Sequence, residues 1–198
     1  MKKTILCMLT TLMAVIALSG CSMFAKANGV ILYGEEAEIL NAVDKEQGKK
    51  QKKDKPVEVE QHKIKIVTND NQKVMILKEE TAQSLVNKDL IREITNQEKG
   101  RTEAVSSLSK VAKGEAILFT KEESYELEVE NLKVKNEGNL IIGIGRAYAD
   151  IFLIVNDDDW ASLEGTEKSL AILKYDKDPS TDGLDYDVEQ VQLVEIQD

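Results

Sequence analysis

Both cysteines of this 198-residue chain, Cys7 and Cys21, fall within its first 21 positions. Everything after them must hold its shape without a disulfide, a thiolate metal site or a cysteine nucleophile. His62 is the single histidine, which also removes any His-rich metal centre. A Ser-His-Asp triad would have to be built on His62, and the surrounding Gln61-His62-Lys63-Ile64-Lys65-Ile66 places that residue on the polar face of a strand. What remains to organise the fold is apolar patterning. A chain of this length can bury a substantial core in one domain.

The first 21 residues have their own logic. Met1-Lys2-Lys3 is basic, Ile5 to Leu18 is apolar, and small residues precede Cys21, which is the layout of an export signal. The apolar run falls short of the roughly 20 residues that span a bilayer. Leu18-Ser19-Gly20-Cys21 resembles the lipobox of bacterial lipoproteins. That resemblance covers residues 1–21. It implies a signal peptide (1–20) that is removed, acylation of Cys21, and a chain held at the extracytoplasmic face of the cell membrane. Two or three acyl chains suffice for that, since each buried CH₂ contributes about 0.8 kcal/mol. Residues 21–28 then form a lipidated tether and 29–198 a single extracytoplasmic domain. Of the 26 basic residues only Arg92, Arg101 and Arg146 are arginine. With the lipobox, this bias resembles the small cell-surface lipoproteins of Gram-positive bacteria, a resemblance that assigns no ligand.

The formal charge is −10, and losing Lys2 and Lys3 with the leader takes the remainder to −12. Such a balance opposes nucleic acid and wholesale adsorption on an anionic membrane.

The apolar pattern predicts an α+β domain: a mostly antiparallel or mixed sheet with two or three helices packed on it. Gly29–Gly34 reads as a buried strand and Glu35–Val43 as one or two helical turns. Lys45–Pro56 contains no apolar residue and reads as a mobile loop that buries nothing. Beyond it, Val57, Val59, Ile64 and Ile66 form a strand with a phase break near Gln61-His62. Asn69-Asp70-Asn71 turns it into a partner at Lys73–Leu77. Glu79–Thr95 is read as the best helix and Thr102–Lys113 as a second, with Gly114 stopping it. Tyr125, Leu127 and Val129 alternate as a strand, and Leu132 and Val134 continue in the opposite phase. Leu140–Gly145, Tyr148–Val155 and Ser169–Tyr175 read as further strands, the second in the centre of the sheet. Asp158–Leu163 reads as a short helix or turn. The tail, Val188–Ile196, fits either period.

Three constellations carry candidate chemistry. Asp176, Asp178, Ser180, Asp182 and Asp187 fall at positions 1, 3, 5, 7 and 12 of an acidic loop, an oxygen set that suits a hard cation such as calcium. It resembles an EF-hand loop only in part. Gly183 stands at position 8 rather than 6, Pro179 at position 4, and Asp187 replaces the bidentate Glu. The plain alternative is a solvated acidic turn between strands. Asp157, Asp158 and Asp159 with Trp160 can form a ligand-facing edge, or a capped turn with Trp160 packed back on the core. The stretch Ile151–Leu163 is also similar to extracellular domains of permeases associated with ABC exporters, which implies a transport-related accessory role. Last, Lys49, Lys50, Lys52, Lys53 and Lys55 lie close to the anchor in sequence. They read first as a solubilising loop and second as a contact for anionic headgroups or wall polymers.

Gly143-Ile144-Gly145 lacks a third glycine and opens onto a strand, so it is no nucleotide fingerprint. No Gly-x-Ser-x-Gly motif is present. The sequence therefore predicts a non-catalytic envelope protein that binds a transporter, another envelope protein or a cell-wall polymer, with no cofactor beyond the lipid on Cys21. A divalent-cation or small-ligand sensor using 176–187 is the alternative, and a carboxylate-based hydrolase the second.

Overall fold

The computed structural model describes residues 27–96, 100–122, 124–179 and 184–197. Its strands are β1 (Gly29–Gly34), β2 (Glu58–Asn69), β3 (Gln72–Lys78), β4 (Ile91–Asn96), β5 (Arg101–Ala104), β6 (Glu115–Phe119), β7 (Lys133–Asn136), β8 (Leu140–Ile142), β9 (Ile151–Val155), β10 (Thr166–Lys174) and β11 (Gln190–Val194). The α-helices are α1 (Glu36–Gln47) and α2 (Glu79–Asn87). Short 3₁₀ turns cover Lys52–Asp54 and Trp160–Ser162. Eight strands form one mixed sheet in the order β11-β1-β10-β2-β3-β9-β6-β7, and β5-β4-β8 form a second. Neighbours are antiparallel except β3 with β9 and β6 with β7.

The core is divided by the large sheet. On one face α2 sets Ala82, Leu85 and Val86 against Met75, Leu77, Phe152 and Ile154, and the small sheet adds Ile91, Leu140 and Ile142. On the other face α1 packs Ile39, Ala42 and Val43 on Val30, Leu32, Ala171 and Leu173. Farther along that second face, residues 124–132 lie across Val74, Ile76, Leu118 and Leu153. Strands covered on both faces read as unbroken apolar runs, as β1 and β9 do.

This division explains the phase break in β2. The strand is continuous over 12 residues. Val59 packs with the α1 cluster and Ile64 with the α2 cluster, so the cover changes sides while the strand does not kink. The hairpin after it is the expected one, with Asp70 and Asn71 at φ +48° and +63°, the pair of left-handed residues a tight hairpin turn takes. β9 holds an interior position between β3 and β6.

Three sequence expectations are corrected. The helix predicted over Glu79–Thr95 ends at Asn87, because Asp89 takes a left-handed φ of +57° and the chain re-emerges as β4. Leu90 and Ile94 fit the helical stripe, but Ile91 and Ile94 also suit a strand, and pairing with β5 and β8 decides it. The predicted helix Thr102–Lys113 is absent. Its first residues belong to β5, and Val105 and Leu108 pack from an irregular segment. Ser106, Ser107 and Ser109 weaken helix there by competing for backbone hydrogen bonds. Lys45–Pro56 is more ordered than a loop that buries nothing: α1 runs to Gln47, and Glu46 is buried beneath the Tyr175 hydroxyl, which donates to it at 2.8 Å.

Candidate functional site

Residues 124–132 combine strand patterning with an absence of strand pairing. Tyr125, Leu127 and Val129 turn half-buried toward the sheet, while Glu126, Glu128 and Glu130 are exposed. The predicted strand is not formed over Tyr125–Val129, while its continuation through Val134 is β7. The segment is an extended strap, and its ladder contact is a single bridge between Val129 and Leu132 around Asn131 at φ +65°. Among the described residues, Glu126, Leu127 and Glu128 make no backbone hydrogen bond. The Asn69 amide donates to the Tyr125 hydroxyl at 2.6 Å and pins the strap to the end of β2.

Hollows open on both sides of this strap. One, of about 320 Å³, has Val74, Ile76 and Leu153 as floor, Val67 and Leu163 on one wall, and Leu127 and Val129 on the other. The second, about 840 Å³ and wide open, runs past Leu118, Leu132 and Val134. An apolar floor beside unpaired extended backbone and a row of carboxylates suits an extended segment with apolar and cationic side chains.

Opposite the α1 side, β2 aligns Glu58, Glu60 and His62 over α2. Glu60 is the hub: it accepts from Ser84 Oγ, lies 3.3 Å from His62 Nε2, and pairs with Lys88 at 3.1 Å. Lys88 also meets Glu58 at 2.5 Å. Burial pushes the Glu60 carboxyl up, but the Ser84 and Lys88 hydrogen bonds and the Lys88 charge outweigh it and hold the group at about 2. Serine and histidine thus meet on one carboxylate, and no hydrogen bond joins Ser84 to His62 among the described residues. A nucleophile needs its base within reach. Here the hydroxyl is instead held as a donor to an ionised carboxylate.

The sequence candidates fall as follows. Cys21, Ser180 and Asp182 lie outside the described residues. Asp176 and Asp187 are exposed and Asp178 half-buried; among the described residues no group of three or more acidic, His or Cys side chains is placed to hold a metal. Two of the three acids after β9 accept backbone hydrogen bonds from neighbouring segments of the fold. Asp157 Oδ1 accepts from the Glu80 amide at 3.2 Å, at the start of α2. Asp159 Oδ2 accepts from the Gly114 amide at 2.6 Å, while Asp158 is exposed near Lys113 at 3.9 Å. Trp160 packs back on the core, beneath the ammonium of the buried Lys65, which donates to the Trp160 and Leu163 carbonyls at 3.0 and 2.6 Å. Sequence reasoning missed the Glu60 hub, although Glu58, Glu60 and His62 at alternate positions of one strand were the signal for it. It saw the strap's alternation without seeing that no strand would pair with it.

Among the described residues no helix is long and apolar enough to cross a membrane. No curated protein matches the chain. A crystal structure of a chain named as a lipoprotein from Bacillus anthracis is similar to it, with 24% identity and a TM-score of 0.74, covering 86% of this chain and 100% of that one. That likeness supports the mixed-sheet fold. The model of an uncharacterised lipoprotein family matches residues 27–197, and the chain belongs to that family.

Proposed function

We propose that this lipoprotein is a lipid-anchored, extracytoplasmic binding protein of the cell envelope that works without catalysis. Its binding element is the groove beside the strap, and its ligand is an extended, cationic and partly apolar segment of another envelope protein, such as a transporter. One observation carries this reading: the strap is patterned as a strand, yet its backbone is left without a ladder beside an apolar groove. A segment laid along it would supply main-chain partners, set apolar side chains toward Val67 and Leu163, and meet Glu126, Glu128 and Glu130 with its cations.

The anchor and the groove are tested separately. Cys21→Ser is expected to abolish lipid labelling and to release the protein from the membrane fraction; a variant that still carries label and stays bound overturns the anchor. Photo-crosslinkers at Glu128 or Glu130 in intact cells are expected to trap one protein repeatedly, whereas a crosslinker at the exposed Gln83 on α2 does not. Equal trapping from both faces overturns the groove as the binding element.

A further inference from the structure

The lysine segment and the anchor meet at one end of the sheet. Gly29, at the start of β1, pairs with Lys174 of β10, and Lys174 pairs with Glu58 at the start of β2. The Val57 amide donates to the Lys174 carbonyl at 2.7 Å and the Tyr175 amide to the Asn28 carbonyl at 2.7 Å. The chain therefore emerges two strand spacings, about 10 Å, from the end of the lysine segment. Between Cys21 and Ala27 lie six residue steps, which reach no farther than about 20 Å. Attractions between exposed charges fade over about 8 Å at physiological ionic strength, so a short tether is what brings this end into range.

The charge at this end is available for a partner. Asp54 is held by Lys177 at 2.7 Å and Glu46 by Lys49 at 2.8 Å, so the nearest acids are already neutralised. Lys50, Lys52 and Lys53 are exposed and, with Lys55, form no ion pair among the described residues. Val57 beside them is 56% exposed, one of the few large apolar side chains left open to solvent. The exposed acids Asp176 and Glu195 follow the strand ends beside the exit and are outnumbered.

We infer that Lys50, Lys52, Lys53 and Lys55, with Val57, dock on an anionic phospholipid surface and fix the orientation of the domain on the membrane. β2, 12 residues and roughly 36 Å long, starts at this end and stops at Asn69, which holds the strap. Docking through the lysines therefore turns the strap away from the bilayer. The inference rests on the anchoring half of the proposed function and is independent of the groove.

The test uses the acylated protein reconstituted into vesicles of phosphatidylcholine alone or with phosphatidylglycerol, with lysine acetylation read by mass spectrometry. Labelling of Lys50, Lys52 and Lys53 is expected to fall about fivefold on the anionic vesicles and to recover in high salt. Lys135, on the distant strand β7, serves as the control that does not change. Flotation with the vesicles but equal labelling on both compositions overturns the docking surface while leaving the anchor standing. Failure to float overturns the anchor and the docking surface together. Protection by a soluble poly(glycerol phosphate) but not by the anionic vesicles overturns the membrane as partner in favour of a wall polymer.

Discussion

The two ends of β2 hold opposite charge and are built to different standards of rigidity. At the Glu58 end, side chains are tied to one another: Tyr175 to Glu46, Lys177 to Asp54, and Lys88 to Glu58 and Glu60. At the Asn69 end, the strap rests on half-buried side chains and the Asn69–Tyr125 hydrogen bond. The lysines that project from the first end stand on an ordered base, whereas the acids of the second stand on backbone without a ladder. Unsatisfied backbone favours accepting a partner, as proposed for the strap, and rigidity favours orienting the domain, as inferred for the lysine end.

The contrast is sharpest in two tyrosines. Tyr175 is buried with its hydroxyl on Glu46 and beside Tyr186, and burial first, then these hydrogen-bond partners, push its ionisation far above the usual range. Tyr175→Ala is expected to cost about 3–5 kcal/mol, read by urea denaturation. Tyr125→Ala removes a half-buried ring from the strap and is expected to cost about 1 kcal/mol. Equal losses would mean that the strap is as much part of the core as the Glu58 end is.

A somewhat smaller effect follows from Gly143, which sits at φ +63° close against β11: a Cβ there would lie 2.4 Å from Gln192 Oε1 and 2.9 Å from Val194 Cγ1. Gly143→Ala combines left-handed strain with a clash and is expected to cost about 2–3 kcal/mol in the same assay. An unchanged midpoint would show that β11 can shift to make room, and that the Glu58 end is softer than its hydrogen bonds imply.

Acid should weaken the Glu58 end through Glu60. Glu60 binds its proton less tightly in the folded chain than in the unfolded one, with its folded value at about 2 against an ordinary 4.5. The stability it contributes is therefore complete above about pH 4.5 and is lost as the pH falls toward 2. Lys88, raised against the opposition of burial by its hydrogen bonds to Glu58 and Glu60, works in the other direction: its contribution is complete below its ordinary value and fades in strong alkali. A Glu60→Gln variant is expected to show a flatter loss of melting temperature between pH 4.5 and 2 than the parent. Parallel curves would show that this carboxylate does not couple folding to pH.

Much of this architecture is legible in the sequence, and the exceptions have physical causes. The β2–β3 hairpin follows from Asn69-Asp70-Asn71, where short polar side chains tolerate a positive φ. β9 follows from an unbroken apolar run. The stretch from Ile91 to Ala104 misleads because Ile91, Ile94 and Thr102 fit two periods, and pairing partners distant in sequence, such as Ile142, choose between them. Glu46 gives no local sign of being buried, since its burial depends on Tyr175, 129 positions away. The candidate site divides likewise. The alternation of the strap is written locally, but the lack of a partner strand is a property of the whole sheet. The lysines are visible as a cluster, whereas their place beside the chain exit needs the β1-β10-β2 register.

The smallest stability effect belongs to the strap's acids, and it separates binding from folding most cleanly. Glu126, Glu128 and Glu130 are exposed, and none forms an ion pair among the described residues. Surface substitutions away from caps, cores and networks stay within about 0.5 kcal/mol, so replacing all three by Gln is expected to leave the urea midpoint nearly unchanged. Removing like charges from an acidic chain relieves repulsion, which sets the expected sign as slightly stabilising. The same triple variant is expected to lose the partner trapped by a crosslinker at the neighbouring, exposed Asn131. The Lys50, Lys52 and Lys53 to Gln variant, equally exposed, should keep that partner while losing lysine-dependent orientation on anionic vesicles. If the lysine variant alone lost the partner, recognition would lie at the lysine end and the proposed assignment of the two ends would have to be exchanged.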